Sequence, residues 1–244
     1  MKTLRQHVSQ LLLGGIMYLL LWQLLALITK NHAIPTPLAT WPTFWALKKM
    51  LLLHSGASFL RVLTALALAL LVGVPMGIVL GLSKGANRIL APFIYFLYPL
   101  PKVAFLPIFM LFWGLGNFSK VLLLFAIILL QVIVSIRDGV HQIPANFQKT
   151  MTNFHANFLQ RIYYLILPAL IPSLLTSLRV SIGIALASLF FAENYATEYG
   201  LGYLILSAWT KMAYSEMFAG IFCIALLGGI LFLLLDLLEE KFRY

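Results

Sequence analysis

Five histidines, seven acidic residues and one cysteine are the raw material for chemistry in this 244-residue chain. Their spacing makes no catalyst. His7, His32, His54, His141 and His155 fall in different segments, at none of the intervals that clasp a metal. There is no Gly-x-Ser-x-Gly turn, no His-Glu-x-x-His and no Gly-x-x-x-x-Gly-Lys-Ser/Thr phosphate loop. The chain alone therefore lacks the means to bind and split ATP, and any work it does must draw on a partner or an ion gradient. Cys223 excludes an intrachain disulfide and a metal site built on cysteine clusters. The ionisable residues that stand out are Lys102, Arg179 and Glu193, because they sit within or at the ends of apolar runs, where charge is costly. Lys102 fits pore lining, or a snorkelling position at a water-filled kink. Arg179 fits best near the inner end of its span. Glu193 fits the translocation path or a gate, or else a pair with an arginine or a helix-packing contact.

The other chemically marked stretch runs from Ala145 to Ser173. Phe147, Met151, Phe154, Phe158 and Ile162 recur at spacings of 4, 3, 4 and 4. On a helix they share about a quarter of the circumference. Gln148, Lys149, Thr152, Asn153 and Gln160 lie off that wedge. This predicts a helical segment on the water side with an apolar edge to offer, either to the membrane surface or to a partner.

The elements that position these residues are membrane-grade. The sequence is 62% hydrophobic and 10% charged, a balance foreign to soluble domains. The length accommodates about five to seven spans of roughly 20 residues. Lys2 and Arg5 precede an apolar run over 11–28, read as an uncleaved first span. Further spans are expected at 59–82, 89–112, 120–136, 165–195 and 217–235, the 137–164 segment lying on the water side, all within one transmembrane domain covering 1–244. Between spans one and two, Pro35, Pro37, Trp41, Pro42 and Trp45 suit the membrane–water boundary. Gly73, Gly77 and Gly81 predict a close helix–helix contact. Pro99, Pro101 and Pro107 predict a kink in span three, with Lys102 at its middle. Assigning basic residues to loops puts nine on the side of the termini and six opposite. That favours cytoplasmic termini and a cytoplasmic 137–164 segment.

Several short motifs, in order, resemble the membrane subunits of bacterial ABC importers, in the branch serving nitrate, sulfonates, taurine and thiamine-type pyrimidines. They are Pro35-Thr36-Pro37, Gly73-Val74-Pro75-Met76-Gly77, Gly81-Leu82-Ser83, Pro99-Leu100-Pro101-Lys102-Val103-Ala104, Leu106-Pro107, Phe112-Trp113-Gly114-Leu115-Gly116, Ala192-Glu193 and Gly200-Leu201-Gly202-Tyr203-Leu204-Ile205. The family's cytoplasmic loop reads Glu-Ala-Ala, three residues, Gly, nine residues, Ile-x-Leu-Pro. Counting back from Leu167-Pro168 puts the glycine position at His155 and the Glu-Ala-Ala position at Lys149-Thr150-Met151, while Leu165 stands for the isoleucine. The loop thus keeps its length and its Leu-Pro end but exchanges an acid for a base and a glycine for histidine. Histidine tolerates a left-handed backbone better than most residues.

The resemblance implies an all-α polytopic permease of about six spans in the bacterial inner membrane, with a coupling helix between spans four and five. It implies no catalytic residue and no cofactor in this chain, ATP and magnesium being held by cytoplasmic ATP-binding subunits. Those subunits would dock on Phe147, Lys149, Met151, Phe154, His155 and Phe158. The remaining partners would be a second permease copy, as a homodimer, and an extracytoplasmic binding protein delivering a small polar solute. Lys102 and Glu193 would line the path. The rival reading is a secondary transporter or channel driven by an ion gradient, which calls for paired intramembrane acids or inverted repeats; Glu193 is the one acid placed in a span, and no repeat is evident.

Overall fold

A computed structural model describes residues 4–242, and all regular structure among them is helical. The helices are α1 (Leu4–Thr29), α2 (Pro37–Ala46), α3 (Lys48–Leu82), α4 (Lys84–Leu97), α5 (Leu106–Trp113), α6 (Asn117–His141), α7 (Ala145–Asn153), α8 (Phe158–Arg161), α9 (Leu167–Glu193), α10 (Leu201–Thr210) and α11 (Tyr214–Phe242). A 3₁₀ turn at Lys102–Phe105 leads into α5, and a π-helical turn at Ile162–Ile166 joins α8 to α9. Among the described residues five helical stretches are long and apolar enough to cross a membrane, or six if α4 and α5 count as one broken span.

The centre of the bundle is α3, α6 and α9. Gly73, Gly77 and Gly81 lie one turn apart on α3 and receive Val132, Ile136 and Val140 of α6. Both series rise together, so α3 and α6 run parallel. A Cβ at Gly77 would lie 2.6 Å from the Ile136 Cβ, and one at Gly81 would lie 2.5 Å from the Val140 Cβ. Without hydrogen in place of a side chain the helices could not approach this closely; in lipid, where packing rather than water expulsion holds helices together, that approach is what stabilises the pair. Helix α9 lies antiparallel to α6, with Leu170 and Ser173 over Gly139. Helix α11 lies antiparallel to α9, and α1 to α11 through stacked Tyr18–Phe222 and Trp22–Phe218. The Trp22 indole N–H donates to the Pro35 carbonyl at 2.9 Å, which fastens the proline-rich stretch to α1. His7 of α1 lies 3.6 Å from Asp236 and 3.8 Å from Glu240 of α11, so the beginning and end of the chain share one end of the bundle, the terminal end.

Several expected boundaries change. Span two begins at Lys48 rather than residue 59, because no proline or cap interrupts the helix there and Leu51 is already buried. Span three is not one kinked helix over 89–112: the chain breaks at Tyr98–Pro101, and α4 and the following helical segment meet at 88°. The helix of span four extends from Asn117 to His141 rather than 120–136, so Arg137 belongs to a helix and not to a loop. Arg137 is buried, its guanidinium over the Tyr95 ring and bonded to Asp138. Lys120 and Arg61 are buried as well. These three do not report loop charge. The expectations for Lys2 and Arg243 concern positions outside the described residues.

Candidate functional site

Three assemblies of polar or exposed side chains stand out along the bundle. The first is the α7–α8 segment at the terminal end. The predicted single helix over the aromatic stripe is interrupted: α7 stops at Asn153 and a turn follows. The His155 N–H donates to the Thr152 carbonyl at 2.9 Å and the Ala156 N–H to the Met151 carbonyl at 3.0 Å. His155 itself has φ +50°. These paired bonds around a left-handed residue are the Schellman helix stop, whose usual occupant is glycine. Asn157 then restarts the chain with a capping box, exchanging bonds of 2.8 Å with Gln160 in both directions. The turn sets Phe147, Phe154 and Phe158 in the open, with 57, 80 and 64% of their surface exposed. Lys149 and His155 are exposed and Met151 half-buried. No acidic residue occurs between Gly139 and Ala192, so this surface is apolar and basic.

The second assembly closes the opposite end. Glu193, the last residue of α9, is wholly buried. Its carboxylate accepts hydrogen bonds from the Ser58 hydroxyl at 2.8 and 3.0 Å, the Gly202 N–H at 2.8 Å and Arg61 Nη1 at 2.5 Å. Arg61 also donates to the Tyr199 carbonyl at 2.8 Å and, through Nε and Nη2, to Asn117 Oδ1. Lys120, 1% exposed, donates to the carbonyls of Leu115 at 2.8 Å and Ala196 at 3.3 Å. His54 Nδ1 lies 2.9 Å from the carbonyl and 3.0 Å from the N–H of Gly200. The 194–200 loop, with Ala196 at φ +46° and Gly200 at φ +140°, is thus held by side chains of α3 and α6. A Cβ on Gly200 would meet the Glu193 carboxyl carbon at 2.3 Å. Burying a pair of charges is favourable only when further hydrogen bonds occupy their remaining sites, and here they do.

The third assembly lies between the first two. A cavity of about 290 Å³ opens among the break after α4, α6 and α9, lined by Tyr98, Lys102, Gln131, Ser181 and Ser188. Lys102 Nζ donates to the Tyr98 carbonyl and sits 5.2 Å from the centre of its ring, and the Tyr98 hydroxyl bonds Gln131 Oε1. A second cavity of about 490 Å³ shares Gln131 and continues along α6 and α9 past Ser135, Asp138, Ser173 and Ser177 to Gln142. On α6, Gln131, Ser135, Asp138 and Gln142 are spaced 4, 3 and 4; on α9, Ser173, Ser177 and Ser181 are spaced 4 and 4. Each set forms one face, and the two faces meet.

The structure therefore separates the two residues named together for the path: Lys102 faces the first cavity, whereas Glu193 lines neither. Arg179 is half-exposed and bonds Asp236 at 2.5 Å and Glu239 at 2.9 Å on α11. Sequence reasoning did not name Ser58, Asn117 and Lys120 at the far end, or the serine and glutamine stripe of α6 and α9. The stripe had a visible signal in its helical spacing; the far-end cluster had none beyond polar residues that needed partners.

A family model described as the binding-protein-dependent transport system inner membrane component matches residues 73–244. The taurine transport system permease protein TauC of Escherichia coli is 31% identical over 188 residues, covering 77% of this chain and 68% of that protein. A probable ABC transporter permease protein of Haemophilus influenzae is 25% identical over 237 residues, 96% of each chain. A putative aliphatic sulfonates transport permease protein, SsuC, of Bacillus subtilis is 29% identical over 216 residues, 88% of this chain and 78% of that one.

Proposed function

The chain belongs to the family of inner-membrane components of binding-protein-dependent transport systems, the ABC importer permeases, and from that premise we propose that it works as one of two identical permease subunits driven by two ATP-binding subunits docked on α7 and α8. The observation that carries this reading is the exposed phenylalanine edge around the His155 turn. Three large apolar side chains on a capped, well-formed helix–turn–helix at a loop are an unfilled docking surface, of the kind an amphipathic helix offers to a groove. Lys149 and His155 belong to that surface, and its basic character calls for an acidic or neutral cleft in the ATPase. ATP and magnesium are held by that partner.

The protein lies in a bacterial cytoplasmic membrane with its termini and α7–α8 inside. In support, setting aside the buried Arg61, Lys120 and Arg137 leaves eight basic loop residues at the terminal end and four opposite, a sharper excess than the raw pattern. An extracytoplasmic binding protein delivers a small solute, of the kind named for the taurine and sulfonate relatives, to the far-end loops around 30–49 and 194–211. Solute passes between the two copies along the polar face of α6 and α9, past Lys102. The helical run from Phe158 to Glu193 joins the docking surface to the far-end cluster, and a push at one end of so long a rod, roughly 50 Å at 1.5 Å per residue, reaches the other. Glu193 acts there as a gating group rather than as a surface that touches solute.

The test is co-purification. Phe147→Asp, Phe154→Asp or Phe158→Asp should release the ATPase from the detergent-solubilised complex while the permease still inserts. Unchanged co-purification in all three would overturn the docking assignment.

A further inference from the structure

A groove of about 200 Å³ lies between α1, α2 and α11 in the far-end half of the bundle. Its walls are Leu19, Trp22, Leu38, Trp41, Phe44 and Phe222. Two of the polar groups beside them are already engaged. The Trp22 indole N–H is on the Pro35 carbonyl, and the Thr40 hydroxyl donates to the Thr36 carbonyl at 3.1 Å. Water entering the groove would find too few partners to stay, so the walls favour hydrocarbon. The volume is below that of a usual small-molecule pocket and suits a segment of a chain. One side of the groove leads to charge. The Trp41 ring meets Trp45 edge-on with centres 5.9 Å apart, and Lys48 Nζ lies 5.3 Å from the centre of the Trp45 ring. Lys49 follows, both lysines are exposed, and among the described residues neither forms an ion pair. Glu216, in the first turn of α11, is not paired with them. No acidic residue precedes Asp138 in the chain, so nothing in α1, α2 or α3 opposes this charge.

We propose that this groove and the lysines beside it hold an anionic phospholipid of the far-end leaflet, one acyl chain lying against Trp22, Trp41 and Phe222 and the phosphate taken by Lys48 and Lys49. The assignment goes beyond the importer reading and needs only that the chain lies in a membrane. Lipid is the occupant because the groove opens onto the surface that the spans give to lipid: Leu20, Leu21 and Leu24 of α1 and Leu38 of α2 are all exposed around it. Paired tryptophans with an ammonium beside them are what a lipid meets where its hydrocarbon gives way to its headgroup. The Lys48 stem packs on the indole while its charged head stays at the polar end. Left empty, the aromatic walls would forfeit their dispersion contacts on one side; an acyl chain restores them and joins α1 more firmly to α2 and α11. A zwitterionic lipid would fill the same groove but would bring its own cation to the two lysines, so they select the anionic one.

The experiment is quenching of tryptophan fluorescence by brominated lipid. A reporter protein carrying Trp113→Phe/Trp209→Phe keeps Trp22, Trp41 and Trp45 at the groove. It is placed in phosphatidylcholine nanodiscs, and a small fraction of the lipid is replaced by phosphatidylglycerol or by phosphatidylcholine, each brominated on its acyl chains. Lipid touching the surface at large quenches equally in the two series. Trp22 is 6% exposed and lines the groove, so the difference between the series reads the groove. Phosphatidylglycerol should be preferred by roughly 25-fold, about fivefold for each lysine. Lys48→Gln/Lys49→Gln should bring the two series together. Leu19→Phe, which fills the groove and leaves both lysines in place, should cut the preference by about fivefold or more. A preference untouched by Leu19→Phe would overturn the site, because the lysines would then be gathering headgroups with no seat for the chain. So would a preference untouched by the lysine substitutions. Equal quenching in the two series on the reporter protein would overturn it as well, including the case in which a second copy or another protein fills the groove and neither lipid reaches Trp22.

Discussion

Replacing Glu193 by glutamine should destabilise the far end of the bundle out of proportion to the change of one atom. Three groups converge on the carboxylate as donors: the Ser58 hydroxyl, the Gly202 N–H and Arg61 Nη1. A glutamine amide has one oxygen to accept with, and its NH₂ must face at least one of these donors. The larger loss is the charge. Arg61 and Lys120 are 5% and 1% exposed, and in Glu193→Gln both remain buried with no counter-ion among the side chains that hold the 194–200 loop. Removing one partner of a buried pair costs about 3–5 kcal/mol, whereas replacing both by neutral groups of similar size is close to neutral. The double variant Arg61→Met/Glu193→Gln should therefore recover at least about half of the single variant's loss. The assay is unfolding of the purified protein in mixed micelles, followed by tryptophan fluorescence, with limited proteolysis of the 194–200 loop alongside. Glu193→Gln should unfold earlier and be cut in that loop, since the Gly202 and Tyr199 anchors depend on the pair. An unchanged midpoint and an uncut loop would refute the argument. So would a double variant whose loss equals the sum of the two single losses, because the two charges would then not be coupled.

Gly77→Val should part α3 from α6, since even its Cβ would lie 2.6 Å from the Ile136 Cβ; a loss of about 1–3 kcal/mol or more in the same unfolding assay is expected. Gly56→Ala, on the same helix with nothing within 4 Å, should be neutral or slightly stabilising. His155→Gly should relieve the left-handed strain at φ +50° and raise stability by about 1 kcal/mol, while ATPase co-purification persists because the turn geometry is kept.

Features that one helix settles by itself could be read from the sequence. The glycines of α3 are one, since a row of missing side chains one turn apart is itself a surface. The left-handed turn is not: the aromatic periodicity alone predicts an uninterrupted helix, and the resemblance to the family's loop, counted back from Leu167-Pro168, is what puts a glycine position at His155, where φ +50° stands. The break after α4 was foreseeable from Pro99 and Pro101, but not its 88° angle, which depends on where α5 finds cover for Leu106 beside Leu123 of α6. The same limit explains the misplaced loop charges. A basic residue near the end of an apolar run reads as a loop cation, yet Arg137 had Tyr95 waiting on α4.

Partnership across the chain is where local reading stops. Glu193 invited an arginine partner by its setting alone, since a buried carboxylate without donors is not tolerated, but nothing in the spacing pointed to Arg61, 132 positions away. The polar stripe of α6 and α9 failed to register for a different reason. Against a lipid background a span is recognised by its mean apolarity, and a serine every fourth residue barely lowers that mean. Such a stripe has physical meaning only when a second one faces it. Gln131, Ser135 and Asp138 alone would be scattered polar residues; opposite Ser173, Ser177 and Ser181 they line two cavities that share Gln131. Water or solute can occupy a gap between two polar faces at a cost that lipid never accepts beside one. The face that these helices turn away from the packed core of α3 is therefore the one on which the apolar spans can hold polar company.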